Sequence, residues 1–171
     1  MKTTYTEFPE TNQLIAERSF EAPKSKVWEY YTTAELLDKW WGPEPYKAVT
    51  KSFDFREGGH WHYVMQGPEG DSHYCINNYK TIKPEDSFTA FDAFANEDWS
   101  IKTDMPSQDW EVTFTETDLP APGGTRQAGG RTDVKVVLTC KSREDLETLV
   151  KMGMKEGFNQ GLDQLEALLE N

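Results

Sequence analysis

The sequence predicts an α+β fold: an antiparallel sheet of about seven strands, two short helices after the first strand, and one long C-terminal helix. Short runs with an apolar residue at every second position recur through the middle of the chain at hairpin-like spacing. A proline-free stretch from Arg143 to Leu169 has apolar residues at helical spacing instead. The 171 residues are enough for one hydrophobic core. We therefore expect a single domain over residues 1–171, with its core at 13–169 and an N-terminal extension at 1–12.

The first strand and the two short helices are predicted from local signals. Residues 13–20 form the first strand, and Pro23 then stands where the first turn of a helix tolerates proline. Thr33 is a suitable N-cap for a second helix from Ala34 to Trp41. Gly42 and Pro43 end that helix, because neither residue continues one well.

The strands of the sheet follow a period of two residues. Trp61, Tyr63 and Met65 alternate with His60 and His62, which indicates one buried and one solvated face. Glycine- and proline-containing turns separate the runs. The seven predicted strands are 13–20, 49–55, 60–66, 72–82, 87–95, 110–115 and 132–141.

Two segments between predicted strands are long for hairpin loops. The first, Asn96–Asp109, is acidic and contains Trp99 and Met105. The second, Glu116–Arg131, is rich in glycine and proline. A hairpin needs only a few residues, so the second segment is either a functional lid or a mobile tip. We favour the mobile tip.

The C-terminal helix begins at a capping box formed by Ser142 and Asp145. On a helical wheel, five apolar residues share one face with Gly153, Gly157 and Gly161: Leu146, Val150, Met154, Leu165 and Leu168. Each interior glycine costs about 1 kcal/mol of helix propensity relative to alanine. Either the helix must approach the sheet closely at these positions, or the glycines leave a hollow, and the sequence favours neither.

Charge and hydropathy exclude several classes of function. The net charge is −12, which makes the chain a poor binder of nucleic acid or of anionic membranes. No apolar run approaches the ~20 residues of a membrane span. The first residues, beginning Met1-Lys2, have no apolar signal-peptide region, and we expect a cytoplasmic protein. Cys75 and Cys140 have no framework spacing and are expected as small buried apolar residues.

The sequence contains few constellations that could carry chemistry. His60 and His62 are two residues apart on a strand and could reach one metal ion, but we expect no metal site because a third ligand is missing. A contact between Cys75 and His73, or an acid–base pair of Asp92 with Tyr74, remains open at this stage. Nucleophile-elbow and phosphate-loop motifs are absent. We predict no catalytic residue and no cofactor, and lean against an enzyme.

Several separated motifs resemble one known family. They are Ala22-Pro23 with Val27-Trp28, Trp40-Trp41-Gly42-Pro43, Phe55-Arg56-Glu57-Gly58-Gly59, Met65-Gln66-Gly67-Pro68-Glu69-Gly70, and Lys155-Glu156-Gly157-Phe158-Asn159-Gln160-Gly161-Leu162. Together they are similar to the activator-of-Hsp90-ATPase homologues of the START-like (SRPBCC) helix-grip superfamily, over residues 13–169. The resemblance implies a curved antiparallel sheet that grips the long helix, with the two short helices closing one end.

The resemblance also implies a function, since helix-grip proteins enclose a cavity between sheet and helix. The leading expectation is a protein that binds a small apolar or aromatic ligand there. The alternatives are a co-chaperone-like module with a chaperone partner, and a cyclase- or hydrolase-type enzyme that uses the same cavity. The residues expected to line the pocket are Trp61, Tyr63, Met65, Tyr74, Phe91, Trp110, Phe114, Val150, Gly153, Met154, Gly157 and Gly161.

Overall fold

An eight-stranded antiparallel sheet and four helices make up the fold. A computed structural model of the chain describes residues 2–120, 122–124 and 126–171. The strands are β1 (Thr4–Phe8), β2 (Gln13–Phe20), β3 (Lys47–Asp54), β4 (His60–Gln66), β5 (Ser72–Lys83), β6 (Ser87–Ala95), β7 (Ser107–Pro120) and β8 (Arg126–Cys140). The helices are α1 (Lys24–Thr32), α2 (Ala34–Trp40), α3 (Arg143–Lys151) and α4 (Met154–Leu169). The predicted α+β fold is confirmed.

The order of strands across the sheet is β1-β2-β8-β7-β6-β5-β4-β3, and every neighbouring pair is antiparallel. Seven of the eight strands were predicted. The additional strand, β1, lies within residues 1–12 and pairs with β2, from Thr4 opposite Glu17 to Phe8 opposite Gln13. No apolar alternation marks this short edge strand, because most of its residues are exposed.

The N-terminal helices lie where the sequence predicts them. α2 has Thr33 as its N-cap residue and ends at Trp40. Leu37 and Trp40 are buried, so this helix closes one end of the core. The amide of Gln164 on α4 donates to the backbone oxygens of Trp40 and Gly42, each at 2.9 Å. The end of α2 is thereby fixed to the C-terminal helix.

The C-terminal segment is two helices rather than the single long helix we predicted. Ser142 caps α3 as expected, because its hydroxyl accepts a hydrogen bond from the backbone N–H of Asp145 at 3.0 Å. The helix then ends at Lys151, and α4 begins at Met154. Between them Gly153 has φ +88°, a left-handed conformation that is strained for any residue with a side chain. This glycine therefore separates two helices.

The segment Glu116–Arg131 was predicted as a loop and is mostly paired strand. β7 continues to Pro120 and β8 begins at Arg126, with Thr117 opposite Arg131 and Leu119 opposite Gln127. A short 3-10 turn covers Pro122–Gly124, and residues 121 and 125 lie outside the described residues. The ladder hydrogen bonds hold these polar and small residues in a hairpin despite their weak strand propensity.

No helix within the described ranges is long and apolar enough to cross a membrane.

Candidate functional site

A cavity of about 240 Å³ lies between the sheet and the C-terminal helices. Strands β4 to β7 form one wall, the turn after α2 forms another, and the junction of α3 with α4 forms the third. The cavity is partly open to solvent, and its lining is mostly apolar. Large apolar side chains in the lining include Trp41, Met65, Phe94, Leu149, Met152 and Phe158.

Two glycines at the start of α4 keep this space open. Gly153 breaks the helix beside the cavity, and Gly157 contributes lining without a side chain. A Cβ atom at Gly157 would lie 3.5 Å from Pro43 Cγ, an ordinary van der Waals distance. A side chain at position 157 would therefore meet open space beyond its first carbon.

The polar part of the wall centres on Asp92 of β6 and Gln108 of β7. The two residues are direct partners in the β6–β7 ladder. The Gln108 side-chain amide donates a short hydrogen bond to Asp92 Oδ2. Gln108 Oε1 and Trp110 Nε1 are both buried and have no hydrogen-bond partner among the described residues. The cavity therefore has one concentrated group of polar atoms in an otherwise apolar wall.

Burial controls the protonation of this polar group. Desolvation raises the pKa of Asp92 to about 7, although the Gln108 amide and the nearby Trp110 indole oppose the rise. The indole N–H is close enough for that effect without meeting hydrogen-bond geometry. Burial also raises the pKa of Cys75 to about 12 and holds the pKa of Tyr63 well above its usual value. Of these three groups, only Asp92 changes its charge near neutral pH.

Trp41 connects the short helices with this wall. Its indole Nε1 donates to the Tyr63 hydroxyl at 2.9 Å, and its ring packs against those of Trp110 and Phe158 at 5.8 and 6.1 Å. Trp40, its neighbour, is fully buried and donates from Nε1 to the backbone oxygen of Tyr30 at 3.0 Å. Trp40 thus closes the end of the core, whereas Trp41 faces the cavity.

Half of the predicted pocket residues lie in the cavity wall. They are Tyr63, Met65, Trp110, Gly153, Met154 and Gly157.

The other predicted residues lie elsewhere, and four of them belong to the core or to helix packing. Trp61 is buried behind Trp41 and donates to Thr50 Oγ1 at 2.9 Å. The Phe114 ring packs against the rings of Trp28 and Tyr31 on α1. Val150 is packed against the core without lining the cavity. A Cβ at Gly161 would lie only 3.1 Å from the Trp40 backbone oxygen, so this glycine permits close helix contact.

The remaining two, Tyr74 and Phe91, lie on the other face of the sheet. There they pack with Trp99 around a small cluster of Ile76, Ala93 and Ala95. Strand alternation explains the misplacement, because Asp92 and Phe94, not Phe91, are the β6 residues that face the helices beside Ala90.

The histidines and cysteines do not assemble a reactive site. The rings of His60 and His62 are 4.3 Å apart, and His62 stacks on Trp99 at 4.6 Å. Within the part of the chain that the structure describes, no three His, Cys, Asp or Glu residues are grouped to hold a metal ion. The Cys75 thiol donates to the backbone oxygen of His73 at 3.8 Å. Asp92 and Tyr74 face opposite sides of the sheet, so they form no acid–base pair.

A comparison with known protein families identifies the family of this chain. The family model described as "Activator of Hsp90 ATPase homolog 1-like protein" matches residues 21–170. The chain belongs to this family. No curated protein matches it.

Solved structures of similar proteins share the whole fold. Protein Ms6760 from Mycobacterium smegmatis is 32% identical, with a TM-score of 0.84 over 98% of this chain and 96% of that one. A protein from Staphylococcus epidermidis is 28% identical, with a TM-score of 0.80 over 98% and 93%. A protein from Arthrobacter aurescens is 24% identical, with a TM-score of 0.86 over 98% and 91%, and this likeness shows the fold alone.

In this family member, sequence reasoning missed the polar wall. Asp92 and Gln108 were not predicted in the pocket, and neither were Trp41, Cys75 and Phe158. One signal was available: Phe88, Ala90, Asp92 and Phe94 share one face of β6, so a carboxylate stands in an inward-facing apolar row. No local signal places Gln108 beside it, since that pairing depends on the register of β6 with β7.

Proposed function

We propose that this family member binds a small apolar or aromatic ligand in the cavity between its sheet and C-terminal helices. The observation that supports this most is the cavity itself, about 240 Å³ and lined mainly by aromatic, methionine and leucine side chains. A concave apolar pocket with a few convergent polar groups is the usual form of a small-molecule site. The family's helix-grip fold suits ligand binding as well as a co-chaperone-like role.

The test uses a neutral two-ring probe, 2-naphthylmethanol, with calorimetry to measure binding. We expect the unmodified protein to bind it, and Gly157→Leu to weaken binding at least tenfold because the new side chain enters the cavity. Ala167→Leu, an exposed position on the same helix, is the matched control and should bind normally. Absence of binding to the unmodified protein, or equal binding to Gly157→Leu, would refute the proposal.

An enzyme that uses the same cavity is the second candidate, and Asp92 favours it. A carboxyl group whose pKa lies near 7 in a cleft is suited to general acid–base catalysis. If the protein is a cyclase or hydrolase, a compound that co-purifies with Asp92→Asn should be converted when it is incubated with the unmodified protein. Incubation with Asp92→Asn should leave the compound unchanged, and mass spectrometry of the compound measures the difference.

A co-chaperone-like module is the third candidate, because the family description names an activator of Hsp90 ATPase. Its test is the ATPase rate of purified Hsp90 with and without this chain. A stimulation that is equal in Gly157→Leu and the unmodified protein would show that the surface, and not the cavity, carries the activity.

A further inference from the structure

Among the described residues that line the cavity, one carries a negative charge and none carries a positive charge. Asp92 is the only formally charged side chain in the lining that the structure describes. No Lys, Arg or His of the described residues forms an ion pair with it. Its hydrogen-bond partner, Gln108, is a neutral amide. Asp92 is partly buried, and a partly desolvated carboxylate without a cation costs free energy, which a cationic ligand would recover.

The titratable groups around Asp92 do not supply that cation. Tyr63 on β4 and Cys75 and Tyr79 on β5 all feel the charge of Asp92, and burial keeps all three protonated and neutral. Lys102 acts on Cys75 but is not among the groups that shift the pKa of Asp92. The C-terminal helices and the segment between them present apolar residues to the cavity: Leu149, Met152, Met154 and Phe158.

Aromatic rings add to the preference for a positive charge. Trp41, Trp110 and Phe158 all line the cavity, and their ring centroids are 5.5 to 6.1 Å apart. The faces of aromatic rings attract cations, and tryptophan does so most strongly. The Asp92 carboxylate and the faces of these rings would both repel an anionic ligand.

The size of the cavity restricts the apolar part of the ligand. A dry cavity of about 150 Å³ accommodates benzene. The volume here, about 240 Å³, suits a body of about two fused rings. The opening to solvent leaves a route for entry.

We propose that the cavity binds a protonated amine carried on an apolar body of about two fused rings, with the Asp92 carboxylate as its counter-ion. This inference rests on the proposed ligand-binding function and specifies its ligand class. Gln108 holds Asp92 in place through the side-chain hydrogen bond and is a positioning residue.

Three probes of one shape and different charge test the inference: 2-naphthylmethylamine, 2-naphthylmethanol and 2-naphthoate. At pH 8 we expect calorimetry to show the amine binding at least tenfold more tightly than the alcohol, and the naphthoate most weakly. At pH 5.5 Asp92 is protonated, so the affinity for the amine should fall about 30-fold, while that for the alcohol stays constant. The pH series uses the unmodified protein, so its outcome does not depend on whether a variant folds.

Asp92→Asn supplies the second arm, with Asp109→Asn as its control. Asp109 is an exposed aspartate on β7 that pairs with Lys80 away from the cavity. Asp92→Asn should bind the amine and the alcohol equally, and Asp109→Asn should behave as the unmodified protein.

The outcomes separate this inference from the proposed function. If the alcohol binds as tightly as the amine at pH 8, or Asp92→Asn keeps the preference for the amine, the amine inference is wrong and the ligand-binding function stands. If no probe binds, both are wrong.

Discussion

The fold moves the pKa of Asp92 into the neutral range. Its carboxyl group lies in an apolar wall, and desolvation is the main cause of its raised pKa. Because the folded state holds a proton on Asp92 up to about pH 7 and the unfolded chain releases it near pH 4, the unfolding free energy falls as pH rises through this interval. Above pH 7 the charged, partly buried carboxylate lowers the unfolding free energy by a constant amount.

We therefore predict that Asp92→Asn stabilises the ligand-free protein at pH 8, by on the order of 1–3 kcal/mol, and has a much smaller effect at pH 4.5. Asparagine removes the charge and keeps the shape, and the Gln108 amide can rotate to accept its N–H. Thermal melts from pH 4.5 to pH 8.5 measure the difference. A stabilisation that is the same at both ends of this range would contradict the assigned cause.

The adjacent residues Trp40 and Trp41 have different environments and should respond differently to truncation. Trp40 is fully buried in the core, whereas Trp41 is partly exposed at the cavity. We expect Trp40→Ala to lower the unfolding free energy by about 3–5 kcal/mol and Trp41→Ala to lower it by less. Urea denaturation compares the two variants. Equal losses would show that Trp41 is as much a part of the core as Trp40.

At the scale of elements, the three glycines of the C-terminal segment have three different functions. Gly153 separates α3 from α4, Gly157 borders the cavity, and Gly161 allows α4 to approach the end of α2. From the sequence we expected either that all three glycines border a hollow or that all three allow close contact between the helix and the sheet. Both interpretations are correct, each at a different position along the helix.

The same substitution at two of these glycines should therefore have opposite effects. Gly157→Ala gains helix propensity of about 1 kcal/mol and places its Cβ at an ordinary distance from Pro43. Gly161→Ala places its Cβ 3.1 Å from the Trp40 backbone oxygen, where overpacking of about 1–3 kcal/mol outweighs that gain. Melting temperatures should rise for Gly157→Ala and fall for Gly161→Ala. A rise in both melting temperatures would show that α2 moves away from the added Cβ atom at little cost in stability.

The β7–β8 hairpin shows how pairing overrides composition. The predicted strands here began or ended where the alternation of apolar residues stops, at Thr115 and Thr132. The ladder continues beyond them, with Thr117 opposite Arg131. Backbone hydrogen bonds do not require apolar side chains, so hydropathy alone underestimates the length of such strands.

At the scale of the whole molecule, one buried charge joins the sheet to the C-terminal helix. Arg18 of β2 has a side chain that is only 1% exposed, and its guanidinium contacts the Asp163 and Glu166 carboxylates of α4, each at 2.6 Å. This contact fixes α4 across the sheet on the side away from the cavity. A buried guanidinium is costly once its partners are lost.

We predict an asymmetry between the two sides of this contact. The double variant Asp163→Asn with Glu166→Gln should lose about 3–5 kcal/mol of unfolding free energy, because it leaves the buried guanidinium uncompensated. Arg18→Met should lose much less, since an apolar side chain of similar length fills the same space. Asp109→Asn, which breaks an exposed pair with Lys80, is the control and should change stability by less than about 1 kcal/mol. A larger loss of unfolding free energy in Arg18→Met than in the double variant would contradict this prediction.

The sequence by itself indicated the family and the order of seven strands and the two short helices, because caps, turns and periodicity are local properties. Ser142 capped α3 and Thr33 preceded α2, as predicted. Half of the residues that it predicted for a pocket line the cavity, since alternation on β4 identifies the inward side chains Tyr63 and Met65.

Only the tertiary structure decided which polar groups meet at the cavity. Asp92 and Gln108 are brought together by the register of two strands, and Trp41 reaches the same wall from the end of α2. The break at Gly153 also depends on tertiary context, because a glycine is compatible with both a continuous helix and a left-handed turn. Contacts between elements that are distant in sequence decide between the continuous helix and the left-handed turn. A local sequence pattern therefore does not predict the outcome.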